Sequence, residues 1–189
     1  MGGTGKTFEK DGQTYEVRFF DSSSFFDLRD LREIVQSPGV QSWMTSVRNM
    51  SHKHYGKWMN EKGEENNFLL AIAGADTERP EIQRVHGFIY VYPSEMVRGA
   101  LEVSYAKRPG APSGLITPAL QETCRIVHEK MGLVVTIVAE IERGNVASIV
   151  AIEKAGFVKT RDFDRYGNGV WTLDWSKLAI VQEGKRVLS

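Results

Sequence analysis

The most constraining stretch lies in the second half of the chain. There ALEVSYAKR (100–108) is followed by PGAPSG, by LITPALQETCRIVHEKMG and by LVVTIVAEI (133–141). The first segment alternates, with Leu101, Val103 and Tyr105 on one face and Glu102, Ser104 and Ala106 on the other, as a half-buried strand does. The third places Ile116, Leu120, Cys124, Val127 and Met131 at helical spacing. The last is apolar without alternation, the pattern of a strand covered on both faces. Strand, helix and buried strand in this order make a crossover, which requires a sheet with a helix packed against it.

The flanking segments extend that sheet. YEVRFF reads as a strand, and DSSSFFDLRDLREIVQS as a helix with Ser24 and Asp27 in capping-box spacing. Ser37-Pro38-Gly39 breaks this run, and VQSWMTSVRNM and HYGKWMNEK give one or two further helical pieces. NFLLAIAG and VHGFIYVYP predict two antiparallel strands around a long polar turn. Downstream, VASIVAIEKAG predicts a helix closed by Gly156 as a left-handed cap. FVKTRDFDR and GVWTLDW then predict two strands around Tyr166-Gly167-Asn168-Gly169, with Trp171, Leu173 and Trp175 on one face.

A chain of 189 residues suits one domain. Lysine plus arginine and aspartate plus glutamate both number 24, so no net field draws the chain onto nucleic acid or a membrane surface. Cys124 is the only cysteine and falls on an apolar helix stripe. No apolar run approaches the roughly 20 residues that span a bilayer. The N-terminus lacks the regions of a signal peptide, so a cytoplasmic setting is expected. His52 and His54 form an H-x-H pair with no acidic or thiol cluster beside it, and no metal is expected. Phe88, Tyr90 and Tyr92 alternate on one strand face; at zero net charge, core packing is the expectation over base stacking.

Two stretches bear on phosphate binding. MGGTGKT resembles the end of a P-loop, but that loop needs a buried strand before it, and FEKDGQTYEV after it holds a turn and an alternating run. Residues 1–13 are expected to be a flexible leader, of which residues 1–10 are removable without loss of stability, with the domain over 14–189. RPGAPSGL, between strand and helix, is the better candidate, because such a loop aims backbone N–H groups and a helix's positive end at an anion. An ordinary connection is the alternative.

NVASIVAIEKAGF resembles the N-x-x-S-x-x-x-x-E-K-x-G-F signature of the GNAT superfamily of N-acetyltransferases. SPGVQSWM and the later YGKWMNE resemble the branch that acetylates protein N-termini, including ribosomal-protein alanine acetyltransferases. The resemblance covers roughly residues 14 to 175. It implies an α+β fold with a mostly antiparallel, twisted sheet of about seven strands. A parallel, splayed pair stands in its middle, and about four to five helices flank it. It also implies transfer of an acetyl group from acetyl-CoA to a primary amine, on a protein N-terminus or a small molecule such as an antibiotic or polyamine, by a monomer or homodimer.

The family loop reads [QR]-x-x-G-x-[GA]. Here Gly114 takes the last glycine, Pro112 replaces the first, and the loop is one residue short. Gly110, Ala111, Ser113, Gly114 and Leu115 retain amides for the pyrophosphate, whereas proline has none. The resemblance also implies backbone contacts from Ala106 and Arg108 to the pantetheine arm, and a cofactor or backbone contact from Asn145. It makes Glu102 the candidate base and Ser148 the hydroxyl near the sulfur. Read without the family, Glu102 is a solvated strand residue, Ser148 a first-turn serine and Asn145 a turn residue. The family's usual acid, a tyrosine seven residues after the asparagine, is replaced by Ile152. A non-catalytic binding or scaffolding member is therefore the second reading.

Overall fold

The computed structural model describes residues 5–44, 67–76, 79, 82–132 and 135–178. Within them the chain forms β1 (Lys6–Lys10), β2 (Gln13–Phe19), α1 (Phe25–Val35), α2 (Pro38–Trp43), β3 (Phe68–Ala75), β4 (Gln83–Pro93), β5 (Leu101–Lys107), α3 (Ile116–Met131), β6 (Ile137–Glu142), α4 (Val146–Lys154), β7 (Phe157–Arg161) and β8 (Asn168–Leu173). The strands make a mixed sheet in the order β1-β2-β3-β4-β5-β6-β8-β7. All neighbours are antiparallel except β5 and β6.

The expected leader is corrected here. Residues 6–10 are β1, paired in register with β2 from Lys6↔Val17 to Lys10↔Gln13. Asp11 and Gly12, with φ of 52° and 76°, turn the hairpin, as Asp-Gly does between alternating runs. Phe8 is 5% exposed and stacks on Tyr15 with ring centroids 5.6 Å apart. Lys6, the lysine of the P-loop-like stretch, pairs with Glu129 of α3 at 2.7 Å. The eighth strand arises from this segment, because an apolar residue such as Phe8 gains more from the core than from solvent.

Two cores lie on opposite faces of the sheet. Beneath α3, Leu70, Ile72, Ile89 and Val103 meet Ile116, Leu120, Cys124 and Val127, so the predicted helix stripe is the buried one. On the other face Leu31, Ile34 and Val35 of α1 pack on Leu69, Ala71, Phe88 and Ala106. Ser24 caps α1 as its spacing predicts, accepting from the Asp27 amide at 3.2 Å. The Asp27 carboxylate takes Arg18 in a two-toothed ion pair. The stretches VQSWMTSVRNM and HYGKWMNEK are described only as far as Met44; the remainder, with His52 and His54, lies outside the described residues.

β4 carries a bulge. Ile72 pairs with Gly87 and Ala73 with Val85, leaving His86 as the extra residue. A Cβ on Gly87 would sit 2.7 Å from the Ala106 carbonyl oxygen, so the close approach of β4 to β5 needs glycine there. The His86 carbonyl is redirected to accept from the Arg108 amide at 2.8 Å. That bond fixes the point at which β5 ends and the phosphate-loop candidate begins.

Candidate functional site

The parallel ladder between β5 and β6 consists of only Leu101↔Ile137 and Glu102↔Val138. Beyond it the strands separate, and the backbone groups of Ser104 to Lys107 on that side face a gap instead of a neighbour. Three connected cavities occupy this gap and its two mouths, and Tyr105 and Ser148 line all three.

On the α3 side the cavity measures about 590 Å³. Its floor is Tyr105 to Lys107, its end is Ser113, Gly114, Ile116 and Thr117, and its outer wall is α4. The loop between β5 and α3 is built in two turns. Arg108-Pro109-Gly110-Ala111 closes with the Ala111 amide donating to the Arg108 carbonyl at 3.1 Å, and Gly110 has φ +82°. Proline then glycine at the two central positions is the signature of a type II turn. Gly114, at φ +74°, then swings the chain into α3, whose N-cap residue, Leu115, supplies no capping side chain. The first turn of α3, whose Ile116 and Thr117 line the cavity, therefore begins without a side-chain cap, the arrangement that receives a phosphate. Lys107 and Lys154 stand at this cavity, and Val146 and Val150 present apolar side chains 63% and 43% exposed. Amides and cations at one end and an apolar flank along the groove fit a phosphorylated coenzyme with a long thioester arm.

The residues expected to hold that coenzyme divide into two groups. Ala106, Ser113 and Gly114 line the groove, and Asn145 lines its neighbour. Arg108 and Ala111 have amides already bonded within the chain. The Arg108 guanidinium turns away to Asp30, at 3.1 Å, and to Glu33, at 2.8 Å, joining β5 to α1. Asp30 is 1% exposed. Burial alone would raise its carboxyl, but the Val85 amide, Arg29 and the charge of Arg108 outweigh that and hold it below the usual carboxylate range. Gly110 is exposed on the outer side of the loop, beside a separate cavity with Asp76, Arg84 and His86, and Leu115 is buried beneath the helix start. Asn145 caps α4, its Oδ1 accepting from the Ser148 amide at 3.3 Å.

On the opposite side a polar cavity of about 120 Å³ adjoins a larger one of about 500 Å³, and Trp43 and Met44 line both. Trp43, Met44, Ser104, Glu140, Glu142, Asn145 and Ser148 are among the residues around the smaller one. Glu102 is half-buried just outside this lining, held by Tyr92 and Ser94. Glu140 faces Glu102 across the seam. Burial first, and then the Glu102 charge, push its carboxyl above the ordinary range, opposed by a hydrogen bond from Asn168. Tyr105 spans the gap, its hydroxyl donating to the Ser148 carbonyl at 3.0 Å, and burial raises the phenol to about 12. Ile152, at the position of the expected tyrosine acid, is wholly buried.

Sequence reasoning did not assign Tyr105, Trp43 or Glu140 to the site, and it placed Tyr92 in the core. Tyr92 and Glu102 are direct cross-strand partners, a signal that becomes readable once the β4–β5 register is known. Trp43 and Glu140 carry no comparable local signal. Among the described residues no group of three or more histidine, cysteine or acidic side chains is placed to hold a metal.

This geometry agrees with known proteins. The model of the acetyltransferase (GNAT) domain matches residues 18–158. An uncharacterized protein from Bacillus halodurans superposes with a TM-score of 0.67 at 15% identity, covering 91% of each chain. A GNAT-family acetyltransferase from Bacillus anthracis gives 0.63 at 17% identity, over 84% of this chain and 93% of that one. An aminoglycoside acetyltransferase solved with coenzyme A and kanamycin gives 0.61 at 14% identity, over 84% and 92%. At such identities these likenesses show the fold, and no curated protein sequence matches significantly. With a splayed parallel pair, an uncapped helix start at its end and a family model spanning both, this chain belongs to the GNAT acetyltransferase family.

Proposed function

We propose that the chain is an N-acetyltransferase that moves an acetyl group from acetyl-CoA to a primary amine. The observation carrying this reading is the β5–β6 gap, which opens a phosphate-ready groove on one side and a hydroxyl- and carboxylate-bearing pocket on the other. Bound acetyl-CoA supplies an acyl group activated as a thioester. The amides at Ser113, Gly114 and the start of α3 hold its phosphates, with Lys107 and Lys154 beside them. The open edge of β5 at Tyr105 and Lys107 orients its arm, since Arg108 and, by alternation, Ala106 turn their backbone groups toward β4. Glu102 takes the proton of the acceptor ammonium. Ser148, at the junction of both cavities, stands beside the sulfur. The acceptor is a small-molecule amine or a protein N-terminus. Relatives of known fold include an aminoglycoside acetyltransferase and a Vibrio cholerae spermidine N-acetyltransferase chimera, which favours small cationic amines. Among the described residues no helix is long and apolar enough to cross a membrane; a cytoplasmic monomer or homodimer is part of the proposal.

A second reading is a non-catalytic binding or scaffolding protein. It rests on Ile152 in place of an acid and on Pro112, which offers no amide to a phosphate. Calorimetric titration with acetyl-CoA, followed by thiol release with a panel of N-terminal peptides, aminoglycosides and polyamines, separates the two. The enzyme reading expects binding and amine-dependent thiol release. Binding without release from any acceptor leaves the scaffold reading, and no binding overturns the placement of the coenzyme groove.

A further inference from the structure

On the acceptor side, β4 and β5 bring three side chains into line. Tyr92 faces Glu102 across the antiparallel ladder, and Ser104 stands two residues further along β5 on the same face. Tyr92 Oη donates to Glu102 Oε1 at 2.7 Å, and Ser94 Oγ donates to the other carboxylate oxygen at 3.3 Å. Tyr92 Oη also lies 3.1 Å from Ser104 Oγ. A phenol has a single proton to give. Since that proton goes to the carboxylate, the Ser104 hydroxyl donates to Tyr92. The lone pairs of Ser104 are then left for the acceptor pocket, which Ser104 lines. An ammonium N–H is the donor that such an oxygen receives.

We infer that Ser104, Tyr92 and Glu102 form a proton relay that draws the acceptor's proton out of the pocket; this rests on the acetyltransferase reading above. The ammonium N–H bond breaks as its proton passes to Ser104 Oγ, the Ser104 proton passes to Tyr92 Oη, and the Tyr92 proton passes to Glu102 Oε1. The amine and the carboxylate both become neutral, and the two hydroxyls end as they began. The neutral nitrogen then attacks the thioester carbonyl. The C–N bond forms, the C–S bond breaks, and the nitrogen's surplus proton goes to the departing thiolate. Glu102 afterwards returns its proton to solvent along the same path.

The surroundings suit a conduit. Burial, with the neighbouring carboxylate adding to it, pushes the Tyr92 phenol well above its ordinary value, so the tyrosine passes protons without resting as an anion. Its ring stacks on Tyr90 with centroids 4.7 Å apart, and Tyr90 is tied to Asn67 at 3.0 Å. The charged groups facing the relay are Glu140 of β6 and, behind it, Arg161 and Asp164. Only Ser104 touches the acceptor. Tyr92 and Glu102 act through it.

The test is a pH–rate profile of thiol release with acetyl-CoA and the acceptor that the amine panel identifies. Tyr92→Phe keeps the ring and cuts the path. It should lower kcat at pH 7 by about 10²-fold, as loss of a positioned proton acceptor does. The coenzyme dissociation constant should stay within about twofold. The deficit should shrink as the pH approaches the acceptor's own pKa, about 10 for an alkylamine. Glu102→Gln should give the same profile, and the double variant should be no worse than either single one, because groups acting as a unit are not additive. If Tyr92→Phe keeps the parent's profile, or the double variant multiplies the two losses, the relay is wrong while the acetyltransferase reading stands. A parent protein that releases no thiol with any amine overturns both. Should Tyr92→Phe fail to bind acetyl-CoA, Ser104→Ala, which interrupts the same path at its first atom, decides by the same profile.

Discussion

The coenzyme wall and the acceptor wall of the cleft differ in what they are made of. The first is largely backbone: a type II turn, Gly114 at φ +74°, and the uncapped start of α3, with two lysines beside them. The second is side chains drawn from separate elements: Trp43 from α2, Tyr92 from β4, Glu102 and Ser104 from β5, and Glu140 from β6. A backbone site is written in a short run of sequence and tolerates change in side chains that do not alter the turn. A site made of side chains depends on the sheet's register, and single substitutions can retune it. The coenzyme wall is thus the fixed half of the cleft, and the acceptor wall the adjustable half.

The largest expected effect tests what the coenzyme wall stands on. Phe8→Ala removes a ring buried in the same core as Ile116 and Leu120 of α3. It should lower unfolding free energy by about 3 kcal/mol, as deletion of a buried phenylalanine does. Urea denaturation measures it. A loss under about 1 kcal/mol would return β1 to the status of a dispensable leader. In a protein that keeps its fold at 25 °C, the Michaelis constant for the amine should be unchanged, because the acceptor wall is braced by the other core.

Gly114→Glu is next. It puts a side chain on a positive-φ position, at about 1 to 2 kcal/mol, and a negative charge where phosphate is expected. Acetyl-CoA affinity should fall by about 10²-fold, close to 2.7 kcal/mol, by calorimetry, while the far-ultraviolet dichroism stays that of the parent. Equal affinity in the variant would show that the wall is not where the phosphates lie.

The smallest effect belongs to the adjustable wall. Glu140 has a folded-state pKa above its unfolded one, so the folded protein holds its proton more tightly. That contribution to stability is complete below the unfolded carboxyl pKa and is lost as pH rises through the raised value. Above it, ionised Glu140 stands against Glu102. Glu140→Gln should therefore stabilise the protein at pH 8 by a few tenths of a kcal/mol, a modest figure because water screens the partly exposed pair. The gain should vanish near pH 4, and paired thermal melts at the two pH values measure it. A variant less stable than the parent at pH 8 would mean that the pair is held apart by a bound or neighbouring cation.

The same contrast explains what the sequence discloses. The crossover and the helix stripe through Cys124 are local patterns, and each stands where its spacing places it, with the loop RPGAPSGL between β5 and α3. The Asp-Gly turn after Phe8 was equally readable; what hid β1 was its position near the end of the chain, where order is not the usual expectation. Tyr92 and Glu102 are ten positions apart, and nothing in either segment gives their register. Arg108 is expected at the pantetheine arm, but its amide goes to a carbonyl that only the bulge at His86 turns toward it, and no local pattern reveals that bulge. Side-chain sites depend on such long-range alignment, which local periodicity does not encode.

The two-residue seam between β5 and β6 has a mechanical consequence. It divides the sheet into two parts, β1–β5 and β6–β8, whose strands share one short edge while a single core runs beneath both, from Leu70 and Ile72 to Ala139 and Trp171. Across the open side runs a clasp, the hydroxyl of Tyr105 on the carbonyl of Ser148. One such bond contributes about 1 kcal/mol, less than an extended amide-bearing ligand gains by bonding to the bared edge of β5. The bared edge of β5 is thus bridged by one weak bond, while the core shared by both parts holds them together.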